Sequence, residues 1–203
     1  WLTGASSGIG KSLAIELAKE GAVLVLTSRS EEKLEQLRES LNNKNTHTVL
    51  PCDLSKEEEI EKAWLRIQEQ NINIDVLISN AGCSQRALAK DTNHTTSRYL
   101  MEVNYFAPIK LINYVLPKML EHNSGHLIVV SSLMGKIATP MRSSYAAAKH
   151  ALNGYFESLF TENYHSPIKF TMVTPGFIDT NMSKNSLKGD GSVSNDISKS
   201  RKK

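Results

Sequence analysis

Thr3-Gly4-Ala5-Ser6-Ser7-Gly8-Ile9-Gly10 is the stretch on which the fold turns. Its glycines at 4, 8 and 10 let the backbone bend tightly, and Gly8–Glu20 beyond them carries apolar residues at helical spacing. A glycine-rich turn that opens a helix presents backbone N–H groups at the positive end of the helix dipole, where a pyrophosphate is stabilised. The spacing is GxxxGxG rather than GxGxxG, and glycine turns also serve packing alone, so the surrounding pattern has to decide.

Outward from the turn, apolar runs of strand length recur at Ala22–Thr27, Thr46–Leu50, Ile74–Ser79, Gly125–Ser131 and Ile168–Thr174. Helical patterns lie between them at Glu31–Asn42, Lys56–Gln70, Thr95–Glu121 and Ser144–Tyr164, with Pro108 and Pro117 expected to kink the third of these. A parallel crossover needs a helix to carry the chain back. The alternation therefore specifies an α/β fold: a doubly wound parallel sheet of the Rossmann type in a single domain, with six strands counting the remnant before Gly4. Ser55 is expected to cap the helix that follows it, and Gly21 to close the first helix. Only Trp1, Leu2 and Thr3 precede the turn, against about 5 residues in an ordinary strand. Truncation at both ends is the expectation. From Ser183 onward the composition turns to Ser, Lys, Asn, Asp and Gly, so 1–182 reads as the catalytic nucleotide-binding domain and 183–203 as a flexible substrate-loop region and basic tail.

Composition narrows the class. The chain has 203 residues, 40% hydrophobic and 22% charged, with a net charge of +3 to which Lys199, Arg201, Lys202 and Lys203 contribute at the extreme end. No broad basic face is implied, and the terminal Lys/Arg run has no interleaved aromatics, so nucleic acid is not an expected partner. Cys52 and Cys83 stand apart without CxxC spacing and read as reduced thiols. No metal site is expected, because His122 and His126 have no third ligand near them in sequence. Asn93-His94-Thr95 reads as a helix cap. No run reaches the roughly 18 apolar residues of a membrane span. The chain reads as soluble and cytoplasmic by default, with localisation left open because an N-terminal anchor is compatible with the short first strand.

Tyr145-Ala146-Ala147-Ala148-Lys149 places a phenol and an ammonium at i, i+4 on one helix face. A charge about 4 Å away at an effective dielectric near 20 is worth roughly 4 kcal/mol, about 3 pKa units, which would bring a phenol toward neutrality. Taken alone the spacing also describes a half-buried Tyr beside a snorkelling Lys.

TGASSGIG, followed by SNAG at Ser79–Gly82 and by YxxxK, resembles the short-chain dehydrogenase/reductase family from Leu2 to about Met182. The resemblance implies an NADP(H)-dependent oxidoreductase acting on a carbonyl or secondary alcohol. It places Gly4, Ser6, Ser7, Gly8, Ile9 and Gly10 at the cofactor, Asp53 with Leu54 beside the adenine, and Asn80, Ala81 and Gly82 beside the adenine ribose. Asp53 has the alternative of capping the next turn, and Ser79 departs from the usual NNAG. After the second strand, Ser28 removes the repulsion that a 2′-phosphate would meet at an acid and Arg29 offers it a planar cationic fork, which favours NADP(H). The alternative is a solvated Arg opening an acidic helix.

By the same resemblance, Ser132 binds the substrate oxygen with Ser131 as its bland neighbour, and Tyr145 exchanges the proton and binds substrate. Lys149 lowers the Tyr pKa and binds the nicotinamide ribose, and Asn104 holds a water through its backbone, or is merely a kink near Pro108. Pro175, Gly176, Ile178 and Thr180 match PGxxxT and would contact the nicotinamide, although Pro-Gly also begins plain turns. Ser84-Gln85-Arg86, Leu133-Met134, Met141 and the segment after Thr180 are expected to border an apolar-leaning substrate pocket. SNAGxSQRAL with SSLMGK resembles the hydroxysteroid and retinoid branch, including the reductases called family member seven, whose members often carry an N-terminal membrane anchor. A homodimer or homotetramer through the helices of Asn104 and Tyr145 is expected by analogy. The rival class is a non-catalytic NADPH-binding sensor or scaffold, which would tolerate loss of the Tyr or Ser that this chain keeps.

Overall fold

The computed structural model describes residues 1–194; the basic tail of Lys199–Lys203 lies outside them. Six parallel strands form one sheet: β1 (Leu2–Thr3), β2 (Val25–Thr27), β3 (Thr48–Val49), β4 (Val76–Ser79), β5 (His126–Val130) and β6 (Lys169–Val173). Their order is β3-β2-β1-β4-β5-β6. The order reverses between β1 and β4, so a crevice opens at the carboxyl ends of those two strands.

The helices are α1 (Gly8–Lys19), α2 (Glu31–Glu39), α3 (Glu57–Glu69), α4 (His94–Met101), α5 (Ala107–Glu121) and α6 (Ser143–Glu162). Two apolar clusters form the core. Ala14, Ala18, Leu34 and Leu37 of α1 and α2 pack with Leu2, Leu26 and Ile78 on one face. Ile60, Ile67, Leu111, Ile112, Leu152 and Phe156 of α3, α5 and α6 pack with Val25, Leu77 and Leu127 on the other. The two clusters cover both faces of the inner strands, which is why these read as continuous apolar runs, while the edge strand β6 is exposed at Lys169, Thr171 and Val173.

Several expectations need correction. The segment Thr95–Glu121 is not one helix kinked at Pro108: α4 and α5 are joined by a π-helical stretch, Glu102–Phe106, and Pro108 sits in the first turn of α5. Pro108 has no N–H to give the carbonyl of Asn104 four residues back, so the ordinary bond is unavailable there and the ladder widens. Pro117 does lie inside α5. Lys56, not Ser55, occupies the N-cap of α3, because the Ser55 hydroxyl and amide both bind the Asp53 carboxylate, at 2.8 and 3.0 Å. Gly21 closes α1 with φ +85°, and Asn93 caps α4 by accepting from Thr96 N at 2.7 Å. Residues 186–194, which composition marks as a mobile tail, are bonded into the fold. Leu187 bridges both Gln85 and Val193, and the Gly189 carbonyl accepts from Asn93 N and Thr96 Oγ1 at the start of α4.

Candidate active site

The glycine turn is closed by contact rather than by composition alone. Gly4 and Gly8 adopt φ +68° and +52°, the left-handed region that disfavours a Cβ. A Cβ on Gly4 would stand 2.8 Å from the Ala81 Cα, and one on Gly10 would stand 2.2 Å from the Gly4 carbonyl oxygen. The loop after β4 therefore lies directly against the turn. Asn80 ties the two together, donating from Nδ2 to Thr3 O at 3.0 Å, while Thr3 Oγ1 accepts from the amides of Asn80 and Ala81 at 3.1 Å each. Ser7 occupies the N-cap of α1 without a side-chain capping bond. Ser7 and Gly8 are exposed, while Ser6 and Ile9 are half-buried. Thr180 packs over Gly8, its Cγ2 lying 3.3 Å from where a Cβ would be. Ile178 and Thr180 thus face Gly8, Ile9 and Ser12 across one pocket.

At the end of β2 the Ser28 side chain is buried, and Arg29 is exposed with Nη1 3.4 Å from the Tyr99 hydroxyl of α4. Tyr99 had no signal in the sequence. Asp53 uses one carboxylate oxygen in its turn with Ser55, and its amide donates to Glu59 at 2.7 Å. Leu54 is buried.

Around the crevice, Tyr145 and Lys149 are both buried, at 6% and 3% exposure, on the inward face of α6. Lys149 Nζ donates to the carbonyl of Val130 at the end of β5, at 2.9 Å. A Cβ on Gly82 would lie 2.9 Å from Asn104 Oδ1 and 3.8 Å from Lys149 Nζ, so the loop after β4, the π-helical stretch and α6 meet there. Asn104 is fully buried, donating to the carbonyls of Cys83 and Leu100 and accepting from Cys83 N. Ser132 Oγ accepts from Met134 N at 3.1 Å, which fixes the hydroxyl and leaves its proton uncommitted by that bond. Leu133 N donates to Pro175 O at 2.9 Å, so the Pro175-Gly176 turn is pinned beside Ser132. The structure thus brings Asn104, Ser132, Tyr145, Lys149, Gly82 and Pro175 to one end of the sheet, while Gly176 and Ile178 stand exposed at its rim.

The electrostatics differ from the expectation in one respect. Burial pushes the Tyr145 phenol above its ordinary value, and the groups that pull it back are the Ser132 hydroxyl and the Arg142 guanidinium; Lys149 is not among them. Lys149 is turned to Val130 O, and its own value is lowered by burial to about 8. Burial also pushes the neighbouring Cys83 thiol up to about 11.

Other residues depart from their expected places. Ser131 is no idle neighbour: buried, it donates to Asn153 Oδ1 at 2.5 Å, and Asn153 donates to Gly135 O at 2.9 Å, which braces the turn that carries Ser132. Gln85 does not border a pocket but is wholly buried against the start of α6. Met134 is half-buried, while Leu133 and Met141 are exposed. Among the described residues no group of His, Cys, Asp and Glu could hold a metal ion, and no helix is long and apolar enough to cross a membrane.

The chain matches the family model described as short chain dehydrogenase over residues 1–191. It is 41% identical to dehydrogenase/reductase SDR family member 7B of Danio rerio, covering 94% of this chain and 64% of that protein. It is 40% identical to dehydrogenase/reductase SDR family member 7 of Homo sapiens, covering 94% and 58%. The chain therefore spans about three fifths of the length of these relatives. Among solved structures, a short-chain dehydrogenase from Streptomyces avermitilis superposes with a TM-score of 0.84 at 31% identity, covering 89% of this chain and 66% of that one. A short-chain dehydrogenase from Sphingobium yanoikuyae in complex with NADPH gives 0.82 at 28% identity, covering 89% and 72%. With the glycine turn, the strand order and the clustered Ser, Tyr and Lys in agreement with these matches, the chain belongs to the short-chain dehydrogenase family.

Proposed function

We propose that the protein is an NADP(H)-dependent oxidoreductase that passes a hydride between nicotinamide and the carbonyl or secondary-alcohol carbon of a hydrophobic small molecule. The observation that carries this reading is the meeting of Ser132, Tyr145 and Lys149 at the sheet end beside Gly82, a few residues from a turn too crowded at Gly4 and Gly10 to admit side chains. That cradle fits a dinucleotide pyrophosphate: exposed Gly8 and Ser7 open onto the uncapped N-terminus of α1. Arg29, exposed and without an acid partner among the described residues, with a small Ser28 before it, suits a 2′-phosphate. Similar solved structures hold NADPH or NADP in some cases and NADH in others, so the choice rests on Ser28 and Arg29.

Lys149 and the Pro175–Thr180 turn would hold the nicotinamide, which would supply or accept the hydride. Ser132, held by Met134 N, directs its proton toward the substrate oxygen. Tyr145, kept protonated by burial, gives its proton to that oxygen as negative charge develops. Lys149, at about 8, exchanges protons near neutral pH and restores the phenol. Pro175, Gly176, Ile178 and Thr180 close over the cofactor side. The homodimer or homotetramer expected through the helices near Asn104 and Tyr145 belongs to the same proposal, and Phe106 and Phe160 are exposed there.

The test is NADPH consumption by the purified chain against a panel of apolar ketones and aldehydes. Oxidation of NADPH with matching alcohol formation is the expected result, and no turnover on any carbonyl in either direction would overturn the reading.

A further inference from the structure

Helix α6 begins without a cap of its own. Its N-cap residue, Arg142, contributes no side-chain capping bond, yet the first turn holds Tyr145, whose hydroxyl has to be placed to a fraction of an ångström. The first N–H groups of a helix have no partner within it and fray unless something outside accepts them. Here the acceptor comes from the loop after β4. Gln85 Oε1 accepts from Ser144 N at 2.9 Å and from Tyr145 N at 3.3 Å. Its Nε2 donates to Thr92 Oγ1 at 2.7 Å, and Thr92 Oγ1 donates onward to Leu88 O at 2.9 Å. The side chain is fully buried, at 0% exposure, so each bond is made away from water and its loss leaves an orphaned polar group.

The same loop is held from both sides. Ser84 Oγ accepts from Arg142 Nη1, Ala87 N donates to Met141 O at 3.1 Å, and Leu187 exchanges backbone bonds with Ser84 O and Arg86 N at 2.8 Å each.

We infer that Gln85 is a positioning residue for Tyr145: it caps α6 from 60 residues away and fixes the turn from which the phenol acts. The inference rests on the oxidoreductase reading for its effect on rate, but the cap itself can be measured without turnover.

The test uses the full chain with Gln85→Met, which keeps the length of the side chain and removes its hydrogen bonds, and Gln85→Glu, which keeps the acceptor. Gln85→Met is expected to speed hydrogen exchange of the Ser144 and Tyr145 amides while leaving those of Leu152–Leu159 protected, and to lower kcat about tenfold or more with the KM for NADPH changed less than about twofold. Gln85→Glu should restore most of the protection and of kcat. His47→Leu, a buried change at the far edge of the sheet, controls for destabilisation and should leave kcat intact. Unchanged exchange at Ser144 and Tyr145 in Gln85→Met would overturn the inference, as would a kcat loss that follows thermal stability across all three variants. A wild-type chain that turns over no carbonyl refutes the oxidoreductase reading instead, and the exchange result still decides the cap.

Discussion

The glycine turn and the first turn of α6 both have to hold backbone in place for chemistry, and they do so by opposite means. The turn at Gly4–Gly10 is shaped by what is missing: without side chains, the chain, Asn80 and Ala81 pack to contact. The turn at Ser143–Tyr145 is shaped by what is brought to it, a single buried amide from a distant loop. A site built by exclusion tolerates no added atom, whereas a site built on a borrowed acceptor depends on the polarity of one buried side chain.

The largest effect expected from breaking this contrast is at Gly10. Gly10→Ala puts a methyl 2.2 Å from a backbone oxygen, so we expect a loss of about 3 kcal/mol in urea unfolding together with loss of cofactor binding. Retention of wild-type stability would show that the turn has room it is not thought to have. Next is Arg29→Ala, expected to weaken NADPH binding by about tenfold or more in titration calorimetry while leaving NADH nearly unchanged; equal losses would remove Arg29 from the 2′-phosphate.

A smaller, pH-dependent effect belongs to Lys149. Its folded value of about 8 lies below its ordinary 10.5, so between those values the unfolded chain holds the extra proton and stability rises with pH. Relative to Lys149→Met, the wild type is expected to carry a destabilising contribution below pH 8 that fades toward pH 10.5, read from unfolding curves across that range. A difference that does not change with pH would place the ammonium in a solvated environment.

How much of this the sequence discloses follows from the range of each contact. The Tyr145–Lys149 pair is legible because four residues on a helix fix which face both occupy, and the glycine turn is legible because its cause is local. The doubly wound parallel sheet follows from the alternation of strand and helix patterns, whereas the strand order β3-β2-β1-β4-β5-β6 is given by the structure. The cap by Gln85 joins residues 59 and 60 positions apart, and the brace from Ser131 to Asn153 spans 22; no periodicity reports such bonds. The π-helical stretch at Glu102–Phe106 was hidden because the absence of one N–H at Pro108 acts on a carbonyl four residues earlier. Spacing gives the face that Tyr145 and Lys149 share, but not the burial that raises the phenol or the bond from Lys149 to Val130 O.

In the proposed reaction the buried phenol of Tyr145 donates the proton to the substrate oxygen. Single-turnover oxidation of bound NADPH by a ketone that the wild type reduces, compared with Tyr145→Phe, tests it directly. The expected result is undiminished NADPH binding with hydride transfer slowed by about a hundredfold or more; transfer at the wild-type rate in the variant would contradict the account.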